Sequence, residues 1–376
     1  MSRIPVTILT GFLGAGKTTL LNRLMSEPDF GDTAVIVNEF GEAGLDGVLI
    51  ERGDQRAFAM STGCLCCTVR GDVRLTLLRL LDEAERGVGP SFSRVVIETT
   101  GLADPAPVLQ TFMTNDFMLS RFTLNGVVTL VDAISGLDAI ESFDEAMRQV
   151  SVADLLLVTK TELMKIGEAA AGDAFDYTRL SDLNPNARVM DAADADAKTA
   201  FSLAAFDPSG KPPNVRDWLR FGGARRGDGA CGGHDAGGHG HSHHHGHDHG
   251  AHNHDVNAHG EAASAYCFSA TGPIDPADLN NGVMALQRSF GPDLLRVKGL
   301  VEIAGRPDEP RVIHVVGHVV SPPRFLDGWP DGVDETRIVV IVGGPGRDVA
   351  PEMLRRFVPE LTAFDSSEKR EEAGVS

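Results

Sequence analysis

No stretch of this 376-residue chain approaches the apolar length of a membrane span, which predicts a soluble protein. Positive charge is also in short supply: 53 acidic residues face 34 basic ones, for a formal net charge of −19. A nucleic-acid or anionic-membrane surface needs concentrated Lys and Arg, so the balance excludes both and leaves proteins, nucleotides and cations as partners. The amino terminus, MSRIPVTILTGFLG, has a short apolar run but no small-residue cleavage site, and reads as a buried strand rather than a signal peptide. Cysteine is scarce, with five in all, yet three stand together at Cys64, Cys66 and Cys67. Thiols kept free for metal suit a reducing compartment, which points to the cytoplasm.

What is present is enough apolar material, 42% of the residues, for two cores. From Pro5 to about Ala192 apolar runs (PVTIL, TAVIVN, RVVIE, GVVTLVD, ADLLLVT and ARVMD) alternate with helical patterns at Thr18–Met25, Val73–Glu85, Pro105–Phe112, Glu141–Val150 and about Glu168–Leu183. That alternation predicts an α/β fold with a doubly wound, mostly parallel sheet. Composition then changes abruptly: eleven of the thirteen histidines lie between His234 and His259, among Gly, Asp and Ala, with too little apolar material to order the segment. Beyond it YCFSATG, a helix near Asp278–Phe290, LLRVKGLVEI, RVIHVVGHVV and TRIVVIVG predict a small α+β domain. The expected division is a nucleotide domain over 1–221, a His-rich linker over 222–263, the α+β domain over 264–364 and a tail over 365–376.

GFLGAGKTT satisfies the pattern GxxxxGK[ST] between an apolar strand and an amphipathic helix, the context a phosphate loop requires. Glycines let backbone N–H groups close around phosphate oxygens. Lys17 can reach the outer phosphates, and the Thr18 hydroxyl can ligate Mg²⁺. Gly11, Gly14, Ala15, Gly16, Lys17, Thr18 and Thr19 are therefore the expected phosphate contacts. RVVIETTG supplies a second element: Glu98 leaves an apolar run, placed to act on Mg²⁺ or its waters, and the Gly101 amide can sense a γ-phosphate. LLLVTKTEL ends a strand with Thr159, Lys160 and Glu162, in the manner of a guanine-reading [NT]KxD signature. Glu162 stands where that signature has aspartate, and its longer arm can still accept two hydrogen bonds from guanine.

Thiolates are soft ligands that favour Zn²⁺ or Cu⁺, and Cys64, Cys66 and Cys67 supply three of the four that a closed zinc site needs. An open position suits a cargo ion that must leave. Thr68, directly after the cluster, begins a helix start facing the nucleotide. NEFGEAGLDG adds Glu39 and Glu42, candidates for orienting the attacking water and for an oxygen ligand. In the linker, His241, His243, His245, His247 and His249 are candidate metal gatherers. His314 and His318 fall on one face of a strand-like run, where single core or surface histidines are the better reading than a second metal site.

GFLGAGKTT, NEFGEAGLD, GCLCC, VVIETTGLADP and TKTE, in this order and ahead of a small domain, resemble the CobW-like family of metal-binding P-loop GTPases. That family includes zinc chaperones and proteins linked to cobalamin synthesis and metalloenzyme activation. The resemblance implies that Gly11 to Thr18 hold the phosphates, that the three cysteines are metal ligands and that Thr159 to Glu162 read the base.

The expected function is a GTPase metallochaperone in which Lys17, Glu39 and Glu98 carry hydrolysis, with GTP, Mg²⁺ and Zn²⁺ (or Co²⁺) as ligands. A client metalloprotein would receive the metal, and nucleotide-dependent pairing into a homodimer is compatible with the chain. The alternative is a metal buffer or sensor in which GTP binding is structural. A P-loop kinase is a weaker reading, since no residues mark a second substrate pocket.

Overall fold

The computed structural model describes residues 3–27, 30, 32–37, 58–60, 69–89, 91–164, 175–201, 203, 263–330 and 333–363, with only the backbone at 58–60 and 69–72. Two sheets organise them. The first is built from β1 (Ile4–Gly11), β2 (Thr33–Val37), β3 (Phe58–Met60), β4 (Arg94–Glu98), β5 (Phe122–Asp132), β6 (Leu155–Thr159) and β7 (Arg188–Asp191), in the order β3-β2-β4-β1-β5-β6-β7. Each neighbouring pair is parallel. Parallel strands are covered on both faces, which explains why they read as unbroken apolar runs: Val95, Val96 and Ile97 of β4 and Leu155 to Val158 of β6 are fully buried.

Helices α1 (Lys17–Met25), α2 (Val69–Glu85), α3 (Ala106–Thr114), α4 (Asp116–Arg121), α5 (Gly136–Ser142), α6 (Asp144–Ser151), α7 (Thr161–Met164), α8 (Tyr177–Leu183) and α9 (Ala197–Phe201) accompany this sheet. The single helix expected over Glu141–Val150 is two, because Phe143 adopts an extended conformation (φ −132°, ψ 121°) between α5 and α6. The helix expected from Glu168 starts at Tyr177, where Asp176 caps it by accepting from the Thr178 amide; residues 165–174 lie outside the described set.

The second sheet is antiparallel, with β8 (Ala263–Ala270), β9 (Leu294–Ile303), β10 (Arg306–Val316), β11 (Val319–Val320), β12 (Arg324–Phe325), β13 (Thr336–Gly343) and β14 (Thr362–Ala363). RVIHVVGHVV is not one strand: Gly317, at φ 57°, turns the chain between β10 and β11. His314 therefore sits in β10 and His318 in the turn, not together on one strand face. The helices Pro276–Phe290, capped by Asp275 with Pro276 in its first turn, and Ala350–Phe357 cover one face.

The opposite face packs on the first lobe. Val339 and Ile341 join Val150, Leu180 and Leu183 in one core, while Ile338, Val340 and Val342 join the other, a direct expression of the two-residue strand period. Pairing between β13 and β9 jumps from Ile341↔Arg296 to Val342↔Leu294, so Leu295 is an extra residue on β9. Leu295, Arg296 and Lys298 all meet the first lobe.

Candidate functional site

All strands of the first sheet point the same way, so their carboxyl ends share one edge, and the predicted nucleotide residues gather there. The chain leaves β1 at Gly11, whose φ of 143° and close approach to Leu130 (2.5 Å from a built Cβ to the carbonyl oxygen) admit no side chain. Gly14 and Gly16 have φ of 73° and 88°, and Gly16 caps α1 without a side-chain partner, so the helix begins with backbone N–H groups turned into the loop. The Lys17 ammonium donates to the carbonyls of Gly11 (2.8 Å) and Phe12 (3.2 Å). Burial lowers its pKa and the nearby Glu98 carboxylate opposes that shift.

Glu98 ends β4, and burial leaves it 3% exposed. Thr18 Oγ1 donates to its Oε1 at 2.7 Å, which brings two hard oxygen donors together beside the Lys17 loop. A hydroxyl paired with a carboxylate at the mouth of a phosphate loop fits Mg²⁺ by ligand chemistry. Thr99 Oγ1 donates to Thr10 Oγ1 (2.7 Å) and ties the same two strand ends together. Three residues after Glu98, a Cβ on Gly101 would lie 2.7 Å from the Leu13 nitrogen, so this turn rests on the phosphate-loop backbone. Gln149 of α6, 1% exposed, fixes the turn by donating to the carbonyls of Gly101 (3.1 Å) and Ala103 (3.0 Å).

The third element joins at β6. Thr159 Oγ1 donates to the Ala15 carbonyl at 2.9 Å, clasping this strand end to the phosphate loop. Lys160 is held in the left-handed region at φ 61°, with its ammonium paired to Asp132 at the end of β5. Thr161 donates to Asp191 at the end of β7 (2.5 Å), and Glu162 is exposed in the first turn of α7. Thr19 is exposed on α1.

The structure thus brings Gly11, Gly14, Ala15, Gly16, Lys17, Thr18, Glu98, Gly101, Thr159 and Lys160 to one edge. Glu39, Glu42, Cys64, Cys66, Cys67, Thr68, His241, His243, His245, His247 and His249 lie outside the described residues. Among the described residues no three His, Cys, Asp or Glu side chains converge as a metal site. Asp132, Asp191 and Gln149 are supports that motif reading passed over. Asp132 had a usable signal, an acid ending an apolar strand as Glu98 does, whereas Gln149 had none.

The family described as CobW/HypB/UreG, nucleotide-binding domain, matches residues 5–191, and the cobalamin synthesis protein cobW C-terminal domain matches residues 263–359. The zinc chaperone YjiA of Escherichia coli is 41% identical over 197 residues, 52% of this chain and 59% of the relative. Zinc-regulated GTPase metalloprotein activator 1 of Schizosaccharomyces pombe is 40% identical over 169 residues, 43% of this chain and 40% of the relative. The matched stretches therefore span between 40% and 59% of these curated relatives' own lengths. In three dimensions the crystal structure of Zn(II)-bound YjiA GTPase from E. coli aligns with a TM-score of 0.64 at 26% identity, covering 96% of this chain and 99% of that one.

Proposed function

The chain belongs to the CobW/HypB/UreG family, and from that premise we propose that it is a GTP-hydrolysing metallochaperone that loads a transition metal, zinc before cobalt, at Cys64, Cys66 and Cys67 and passes it to a client metalloprotein. The observation that carries the nucleotide half is the 2.7 Å hydrogen bond from Thr18 to Glu98, which couples the phosphate loop to the end of a different strand. Mg²⁺, held by Thr18 and by Glu98 directly or through water, would supply charge neutralisation at the β- and γ-phosphates. The backbone N–H groups of Gly14 to Thr18 bind phosphate oxygens, and Lys17 turns from the Gly11 and Phe12 carbonyls to the outer phosphates. Glu39 orients the attacking water, Thr68 and Gly101 contact the nucleotide, and Lys160 and Glu162 read the base, with Lys160 braced by Asp132.

The metal half rests on the order of elements and on the relatives' names. The cysteines stand in sequence between β3 and α2, and β3 is parallel to β2, so its carboxyl end lies on the nucleotide edge. Zinc is favoured because thiolates prefer it and because both similar curated proteins are named for zinc. Glu42 adds an oxygen ligand, the linker histidines gather metal, and nucleotide state governs pairing of two copies. This function operates in the cytoplasm, over the division at 1–221, 222–263, 264–364 and 365–376.

Steady-state hydrolysis tests the proposal. The intact protein turns over GTP in preference to ATP, Lys17→Ala lowers the rate by about a hundredfold or more, and added Zn²⁺ changes the rate of the parent protein but not of Cys66→Ser. Undiminished hydrolysis by Lys17→Ala, or no response to metal, would remove its basis.

A further inference from the structure

Between the two lobes, at the amino ends of the parallel strands and so at the edge opposite the phosphate loop, lies a cavity of about 320 Å³. That is within the range of small-molecule sites and has room for about ten waters. Arg3 precedes β1, Thr123 to Gly126 open β5 and Arg188 opens β7, while Lys298, Val312, His314 and Arg324 come from the second sheet. One wall is apolar, where Phe112, Met113, Phe122 and Leu124 pack together, and Leu203 and Val312 add further apolar lining.

Five of the lining residues are basic. Arg3, Arg188, Lys198, Arg324 and Lys298 reach the cavity of a chain whose net charge is −19. Asp154 is the only carboxylate among the described lining residues, and it is shared between Arg296 (2.6 Å) and Lys298 (2.9 Å), whose side chains are 2% and 1% exposed. One carboxylate thus stands among five basic lining residues. His314, pushed down to about 3 by burial and by Arg296 and Lys298, stays neutral and adds a hydrogen-bonding group without charge. The cavity is built: a bulge at Asn125, which donates to Thr7 (2.9 Å) and the Phe201 carbonyl (2.8 Å), shapes the start of β5, and Gly126 admits Leu203 where a Cβ would stand 2.9 Å from it.

We propose that this inter-lobe cavity binds a small organic carboxylate with an apolar body, the anion facing the Arg and Lys side chains and the body lying on the Phe112–Leu124 wall. Because the ligand touches both lobes, its binding is linked to how they fit together, and it provides a second small-molecule input remote from the nucleotide.

Calorimetric titration of the full chain, saturated with Mg·GDP to occupy the phosphate loop, tests this with octanoate, and with acetate and 1-octanol as the anion and the body alone. Octanoate is expected to bind at one saturable site, at least about tenfold more tightly than either partial probe. The double variants Lys198→Gln/Arg324→Gln and Arg3→Gln/Arg188→Gln, drawn from different elements so that one disturbed fold does not decide the matter, should each weaken octanoate about tenfold while GDP affinity is unchanged. No saturable octanoate binding, acetate or octanol binding as tightly as octanoate, or octanoate affinity unmoved in both variants would overturn the proposal.

Discussion

Replacing Asp154 with alanine should destabilise the protein more than any change at the phosphate loop. The Asp154 carboxylate accepts from Arg296 (2.6 Å), Lys298 (2.9 Å) and the Val127 amide (2.9 Å), and the cations reach it from β9 across the inter-lobe contact. Breaking a buried ion pair by deleting one partner costs about 3–5 kcal/mol, since the remaining charge has lost both water and counter-charge. Lys298 has an escape that Arg296 lacks. Its pKa is pushed to about 8, chiefly by burial against the attraction of Asp154, so without the carboxylate it can shed its proton near neutrality. The guanidinium of Arg296 cannot, although it keeps the carbonyls of Val152 and Ala153 as acceptors. Most of the loss therefore falls on Arg296. At about 2–4 °C per kcal/mol for a chain region of this size, Asp154→Ala should lower Tm by about 10 °C, read by circular dichroism of the full chain. Lys298→Met in the same background should recover part of the loss, because a buried amine left without its carboxylate is replaced by an apolar side chain. A Tm within a degree or two of the parent, or a double variant as destabilised as the sum of the singles, would refute the assignment of a single coupled cluster.

Gly101→Ala puts a methyl 2.7 Å from the Leu13 backbone, so the phosphate loop must shift; GDP affinity measured by calorimetry should fall about tenfold, and an unchanged value would show that the turn does not brace the loop. For Lys298 the folded pKa of about 8 lies below its ordinary 10.5, so between those values the unfolded chain binds the extra proton and stability rises with pH, by at most about 1.4 kcal/mol per unit. The Tm difference between the parent and Lys298→Met should therefore grow in the parent's favour from pH 8 to 10. A flat or opposite trend would contradict the burial argument. For Asp154, held below its ordinary 3.8, the sign reverses: its contribution is present above that value and is lost as pH falls beneath it.

The strands of the first sheet were legible because burial on both faces writes each as an apolar run; β3, only Phe58–Met60, was not, since three residues carry no period. The phosphate loop was legible because its backbone geometry demands glycine at fixed positions, and φ of 73° and 88° at Gly14 and Gly16 meets that demand. Lys160 in the left-handed region and its tie to Asp132 were invisible, because they depend on two strand ends that meet only in the sheet. The break at Phe143 left no Gly or Pro to announce it. The inter-lobe cluster left a faint trace: Arg296 and Lys298 interrupt LLRVKGLVEI at a two-residue spacing, which places two cations on one face of an otherwise apolar strand. Their partner, Asp154, is 142 residues away from Arg296, a distance that no local pattern bridges.

The proposed GTP-hydrolysing metallochaperone requires that metal affinity depend on nucleotide state, which is tested most directly by measuring Zn²⁺ and Co²⁺ binding to a form lacking His234 to His259, with Mg·GDP or a slowly hydrolysed Mg·GTP analogue, and with Cys66→Ser as control. The account predicts at least about tenfold tighter binding with the triphosphate, a coupling of about 1.4 kcal/mol that disappears in the serine variant. Equal affinity in both nucleotide states would contradict it and leave the thiols as a store of metal beside a structural nucleotide.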